Sequence, residues 1–229
     1  HWPDSMFTYV KEAKTLLPND AFGQHLATSR RFVDEVDMSI VMEEAGKYYA
    51  NILLPFGGQI QRMLAKIGEM GLEIEAIGPS HGVVWRRPED VTRIVEAYAA
   101  WSASKAPERV TIVYDNMWHA TEKMTMAIED GVAQEGVDCA VLRMSVSPRS
   151  EAMHQILQSR AFLVGSPTLN NGVFPTIGGF LTYLKGLRPR DRIAGAYGSC
   201  GWAGGAVKQI DSDLREMGLE GMAPMEIKY

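Results

Sequence analysis

From Arg109 to Tyr229 five short apolar runs alternate with amphipathic helical patterns, and few folds accept that alternation. The runs are Val110–Tyr114, Cys139–Met144, Ala161–Gly165, Ile193–Gly198 and Met225–Tyr229. Val110–Tyr114 has the length and β-branched content of a strand buried on both faces. Behind it Met124, Ala127, Ile128 and Val132 recur at helical spacing from Thr121 onward, and further helical segments read as Glu151–Gln158, Thr176–Leu187 and Ala203–Met217. Strands that alternate with helices predict an α/β chain with a doubly wound five-stranded parallel sheet, order 2-1-3-4-5. Ligands of such sheets bind beyond the carboxyl ends of the strands.

The first strand ends in an abrupt polar loop, Asp115–Ala120, before the helix. Amides of the loop and first helical turn lack partners and, with the positive helix end, attract an anion. The loop has no glycine, which argues against the Walker and dinucleotide fingerprints. Asn116 and Thr121 supply amide and hydroxyl donors instead, and no Lys or Arg stands in the loop. That points to a phosphate monoester on a mononucleotide, although an ordinary strand–helix turn shares the local pattern. Two later loops, Ser166–Pro175 and Ser199–Ala206, follow strand ends in the same way. Their Asn and Thr side chains suit the edge of a flat heterocycle, and Trp118 or Trp202 its face.

Charge and composition exclude other classes. With 28 acidic against 23 basic residues and no basic block, the chain does not read as a nucleic-acid binder. It has no apolar run long enough to span a membrane. Cys139 and Cys200 stand apart, as free thiols do in a reducing cytoplasm, where we expect the protein to reside.

Residues 1–87 look different. Met38, Val41, Met42, Ala45, Tyr48, Tyr49 and Ile52 form one helical stripe ending near Pro55. Gly57–Gly58 is expected to break the chain before a second stripe, Ile60, Met63, Leu64 and Ile67. A brief strand, Ile74–Ile77, follows, and Pro88 opens a further helix. Two helices and few strands make too little for a self-contained α/β domain. The boundary is placed in Ser102–Glu108, giving domains 1–105 and 106–229.

Two histidines sit where packing explains them badly: His1, at the start of the chain, and His81, beside Gly82 after a strand. Asp20 lies just past an apolar stretch. Imidazole and carboxylate together suit iron, zinc or manganese, and a carboxylate can bridge two metals. His25 is a candidate outer partner of Asp20. His154 reads as a solvated helix residue, and His119 as part of the phosphate-side lining.

Taken together, HWPDSMFTY, NDAFGQH, PSHGVVWR, YDNMWHATEKM, SPTLNNGVFP and GSCGWAGGA resemble the flavodiiron proteins, in family order and across essentially the whole chain. The resemblance implies the C-terminal part of a metallo-β-lactamase-like αββα domain, residues 1–105, followed by a flavodoxin-like FMN domain, residues 106–229. It implies His1 and His81 as ligands of two irons bridged by Asp20, with no catalytic residue beyond them. Asn116, Met117, Trp118, His119, Ala120 and Thr121 would hold the FMN phosphate. Ser166, Pro167, Thr168, Leu169, Asn170 and Asn171, with Ser199, Cys200, Gly201, Trp202 and Gly204, would wrap the ribityl chain and the isoalloxazine. Cys200 departs from the aromatic residue usual at its position.

The family's His-x-Glu-x-Asp-His ligand motif does not occur here. The chain is therefore expected to be an internal fragment, inactive alone at a diiron site, lacking about 150 N-terminal residues of a complete domain and a last helix. The implied activity is electron transfer from a donor through FMN to a non-haem diiron site that reduces O2 to water or NO to N2O. The implied partners are rubredoxin, a reduced deazaflavin or a nicotinamide-linked reductase, and a second copy in a head-to-tail homodimer. The alternatives are a flavodoxin-like electron carrier with a non-catalytic N-terminal appendage, and a metal-free binding module.

Overall fold

The structure, a computed structural model, describes residues 6–228 and falls into two compact units, His1–Lys105 and Ala106–Tyr229. His1 lies outside the described residues.

The first unit begins with an antiparallel hairpin of β1 (Thr8–Val10) and β2 (Thr15–Leu17). Strand β3 (Ala76–Ile77) joins β2 in parallel. Helix α1 (Met38–Tyr48) starts where the Asp37 carboxylate accepts the Ser39 amide at 2.8 Å, a side-chain N-cap. It continues through a π-helical turn, Tyr49–Leu53, and a 3-10 turn, Leu54–Phe56.

Gly57 and Gly58, expected to break the chain, instead form the first turn of α2 (Gly57–Glu69). Glycine suits a close approach there, since a Cβ on Gly57 would stand a tight 3.0 Å from the carbonyl oxygen of Ser102, at the end of α3 (Pro88–Ser102). Val41, Ala45, Tyr49, Trp85, Ile94 and Tyr98 are buried in this unit's core. The strand expected at Ile74–Ile77 is only Ala76–Ile77, and the hairpin before it was not expected.

The second unit runs β4 (Arg109–Tyr114), α4 (Ala120–Gln134), β5 (Asp138–Arg143), α5 (Arg149–Leu157), β6 (Ala161–Leu169), β7 (Gly172–Val173), α6 (Pro175–Leu187), β8 (Ile193–Cys200), α7 (Ala206–Glu216), β9 (Glu220–Gly221) and β10 (Met225–Lys228). The main sheet has the order β10-β8-β6-β4-β5, parallel throughout this path, which is the expected 2-1-3-4-5 arrangement. Ile112, Tyr114, Met124 and Tyr197 form a core cluster, with Ile128, Val141 and Leu163 packed against it. Met124 and Ile128 thus set the apolar face of α4 on alternate residues of β4, as the two periodicities require.

Two strands run further than their apolar stretches. β6 continues through Ser166, Pro167, Thr168 and Leu169, and β8 through Ser199 and Cys200, so much of the expected loops is sheet. β6 then turns back into β7 through Asn170 and Asn171, at φ 49° and 62°. Positive φ at both central residues matches a type I′ hairpin turn, which asparagine tolerates. His154, expected to be solvated, is only 2% exposed, with its ring 2.8 Å from the side chain of Gln158, the residue that caps the end of α5.

Candidate functional site

The chain leaves β4 at Asp115, whose carboxylate is 1% exposed. That carboxylate accepts the Asn116 amide at 2.9 Å, the Thr176 hydroxyl at 2.6 Å and the Ser145 hydroxyl at 3.2 Å, with Arg143 Nε at 3.4 Å. Four partners from three segments therefore fix the loop at its first residue. Nδ2 of the neighbouring Asn116 is buried with no hydrogen-bond partner among the described residues. The loop ends at His119, in the left-handed region at φ 63°, which sets the entry angle of α4.

Thr121, in the first turn of α4, is buried, and its hydroxyl lies 2.9 Å from that of Ser199 at the end of β8. One proton lies between the two oxygens, which leaves the other to donate outward. His119 Nδ1 lies 2.6 Å from Glu122 and is not a cavity-lining group; that hydrogen bond holds the Glu122 carboxyl below the usual carboxylate range.

Above this helix end is a cavity of about 340 Å³ lined by Met117, Trp118, Ala120, Thr121, Pro167, Thr168, Asn170, Asn171, Ser199, Cys200, Gly201, Trp202 and Ala203. All the lining side chains are neutral. Trp118 and Trp202 are 74% and 95% exposed, unusual for large aromatics unless they serve a surface. A Cβ on Gly201 would meet no protein atom within 4 Å, whereas one on Gly205 would run into the Asn171 backbone. An aromatic ligand with a phosphate tail fits this arrangement: neutral donors at a helix N-terminus, amide side chains along one wall, and two indoles at the mouth.

In the first unit two loops are clamped together. The Gln24 side chain donates to the Phe22 carbonyl at 3.1 Å and accepts the Val83 amide at 2.8 Å, while Trp85 Nε1 also donates to the Phe22 carbonyl, at 2.9 Å. This clamp brings His81 Nε2 to 3.3 Å from Asp20 Oδ1. The His25 ring stands 5.7 Å from that of His81 and 4.7 Å from that of Tyr48. Burial and the nearby Asp20 push the Tyr48 phenol well above its ordinary value. Among the described residues no group of three His, Cys, Asp or Glu side chains is arranged to hold a metal ion.

Residues 112–229 match the flavodoxin family model. The chain is 49% identical over 220 residues to the nitric oxide reductase of Moorella thermoacetica, covering 96% of this chain and 55% of that protein. It is 38% identical over 229 residues to the rubredoxin-oxygen oxidoreductase of Megalodesulfovibrio gigas, covering 100% of this chain and 57% of that one. The solved rubredoxin oxygen:oxidoreductase from Desulfovibrio gigas has a TM-score of 0.96 at 38% identity, and the flavodiiron protein from Giardia intestinalis 0.93 at 37%. Each covers 100% of this chain, and 57% of the solved chain is matched.

This chain belongs to the flavodiiron protein family. It spans a little over half the length of the curated relatives it matches.

Within this flavodiiron chain, twelve of the residues named for FMN line the cavity, together with Ala203 from the same expected loop, Ser199–Ala206. Asn116, His119, Ser166, Leu169 and Gly204 stand outside the lining. The Ser166 hydroxyl is committed to the hairpin, donating to the Pro167 carbonyl at 2.8 Å and accepting the Phe174 amide at 2.9 Å. Gly204 faces the Glu226 carboxylate, which a Cβ would strike. Sequence reading overlooked Asp115 as the organiser of the loop. A carboxylate placed directly after a buried strand was the available signal.

Proposed function

We propose that the second unit binds FMN and that the first contributes part of a non-haem diiron centre, in a protein that carries electrons from a donor to O2 or NO. The observation that carries this reading is the neutral cavity at the start of α4, with the Thr121–Ser199 hydroxyl pair in its lining. When bound, FMN exchanges one or two electrons and ferrous iron delivers electrons to a small diatomic molecule.

The chain's own residues bind and orient. Thr121, Ser199 and the first-turn amides of α4 would take the phosphate, with Asn116 donating beside them. Thr168, Asn170 and Asn171 would bond the polar edge of the ring system, and Trp118 and Trp202 would cover its face and exclude water. In the first unit Asp20 and His81 present a carboxylate oxygen and an imidazole nitrogen, donor types that suit iron. They would supply one bridging and one terminal ligand, with His1 as a third.

The relatives' names support the activity: one is a nitric oxide reductase and another a rubredoxin-oxygen oxidoreductase. On that basis the electron donor is a rubredoxin-like protein, a reduced deazaflavin or a nicotinamide-linked reductase. A head-to-tail homodimer completes the electron path. Among the described residues no helix is long and apolar enough to cross a membrane, in keeping with a cytoplasmic reductase.

Flavin content tests the reading directly. Protein purified from cells should carry one FMN per chain by absorbance and by chromatography of the released flavin. Thr121→Ala should weaken FMN binding by about 1–3 kcal/mol, because a buried donor is lost. Unchanged affinity would remove the phosphate assignment.

A further inference from the structure

Beneath the proposed phosphate site lies a hydrogen-bonded chain that does not line the cavity. Tyr197, in the middle of β8, is buried, and its ring crosses Gly165, its registered partner on β6. A Cβ on Gly165 would run into that ring, so glycine leaves the space that fixes the tyrosine. The Tyr197 hydroxyl lies 2.6 Å from Thr125 Oγ1, which in turn donates to the Thr121 carbonyl at 2.9 Å. A carbonyl only accepts, so the single Thr125 proton is committed to Thr121 and Tyr197 must be the donor to Thr125. Burial raises the Tyr197 phenol well above its ordinary value, which keeps it protonated as a donor.

The direction of this chain matters. The Thr121 carbonyl belongs to the same peptide group as the Glu122 amide, which lies in the first turn of α4 and has no acceptor within the helix. A second hydrogen bond on the carbonyl draws electron density toward oxygen and makes the amide a stronger donor, since linked hydrogen bonds polarise one another. β8 therefore reaches the start of α4 twice, through Ser199 to the Thr121 hydroxyl and through Tyr197 by way of Thr125. The spacings make this possible: residues 197 and 199 share one face of a strand, and 121 and 125 one face of a helix. With no cation among the lining residues, amide strength weighs heavily in holding an anion.

We propose that Tyr197 and Thr125 act as a positioning relay that strengthens the anion site at the start of α4 and so sets the preference for the phosphorylated flavin over its dephosphorylated form. This rests on the flavin-phosphate reading above and extends it to two residues behind the site.

The test titrates apo-protein with FMN and with riboflavin, which has the same ring and ribityl chain but no phosphate. The wild-type protein should bind FMN more tightly than riboflavin. Tyr197→Phe keeps the ring over Gly165 and Thr125→Val keeps the volume, but each breaks the relay. In both, FMN affinity should fall by up to about fourfold, the part of a charge-assisted hydrogen bond that polarisation by a linked bond supplies, while riboflavin affinity stays unchanged. Thr125→Ser, which retains the hydroxyl, should restore FMN binding, and the Val/Ser comparison stands even if the tyrosine variant folds poorly. Equal losses for the two flavins, or no loss for either, would overturn the relay while leaving the phosphate reading intact. A wild-type protein that does not distinguish the flavins, together with Thr121→Ala that loses neither, would overturn both.

Discussion

At the scale of single residues, Asp115 and Thr121 divide the work of the loop between β4 and α4. Asp115 touches no part of the cavity, yet it gathers an amide, two hydroxyls and a guanidinium around a buried carboxylate. Asp115→Ala would leave several of those donors unpaired, and we expect a loss of about 3 kcal/mol of stability, since each buried unsatisfied group costs about 1–3. Urea unfolding checks this: the midpoint should fall while the slope stays constant. Asp115→Asn should lose less, because its amide oxygen still accepts. Thr121 was legible in the sequence, since a hydroxyl at a helix start after a buried strand has a local meaning. Asp115 was not, because Arg143, Ser145 and Thr176 reach it from segments far along the chain. His154 misled for the same kind of reason: its ring is polar by type, and only packing shows it buried.

Elements carry a second set of consequences, strongest where two strands outrun their hydrophobic pattern. The five strands of the main sheet were legible because apolar runs and helical periods alternate without interruption. Their ends were not, since Ser166, Pro167, Ser199 and Cys200 resemble loop residues while pairing in register across β6 and β8. The β1–β2 hairpin escaped notice because its strands are three residues each and half exposed. In the first turn of α4, the hydrogen bond from His119 holds the Glu122 carboxyl below its ordinary value of 4.5. A carboxyl depressed by folding adds stability that is fully present above the unfolded value and disappears as pH falls through the folded one. The thermal midpoint of the wild-type protein should therefore exceed that of Glu122→Gln at neutral pH. The difference should close as the solution is taken well below pH 4.5, and a gap that persists there would assign the effect to shape instead of charge.

For the molecule as a whole, the two candidate sites fall in separate units: Asp20 and His81 lie within residues 1–105, Thr121 and Ser199 within 106–229. Each unit buries its own core, Trp85 and Tyr98 in the first, Ile112 and Phe162 in the second. Loss of one ligand should then leave the other unit folded, because each unit buries a core of its own. In a chain carrying the complete ligand set, Asp20→Ala should lose iron and terminal reductase activity and keep one FMN per chain. Thr121→Ala should do the reverse, retaining iron while flavin dissociates more readily. Iron and flavin analysis of the same two preparations decides the matter. Two irons retained in Asp20→Ala would refute a bridging role for that carboxylate, and joint loss of both cofactors from either variant would show that the units depend on each other for folding.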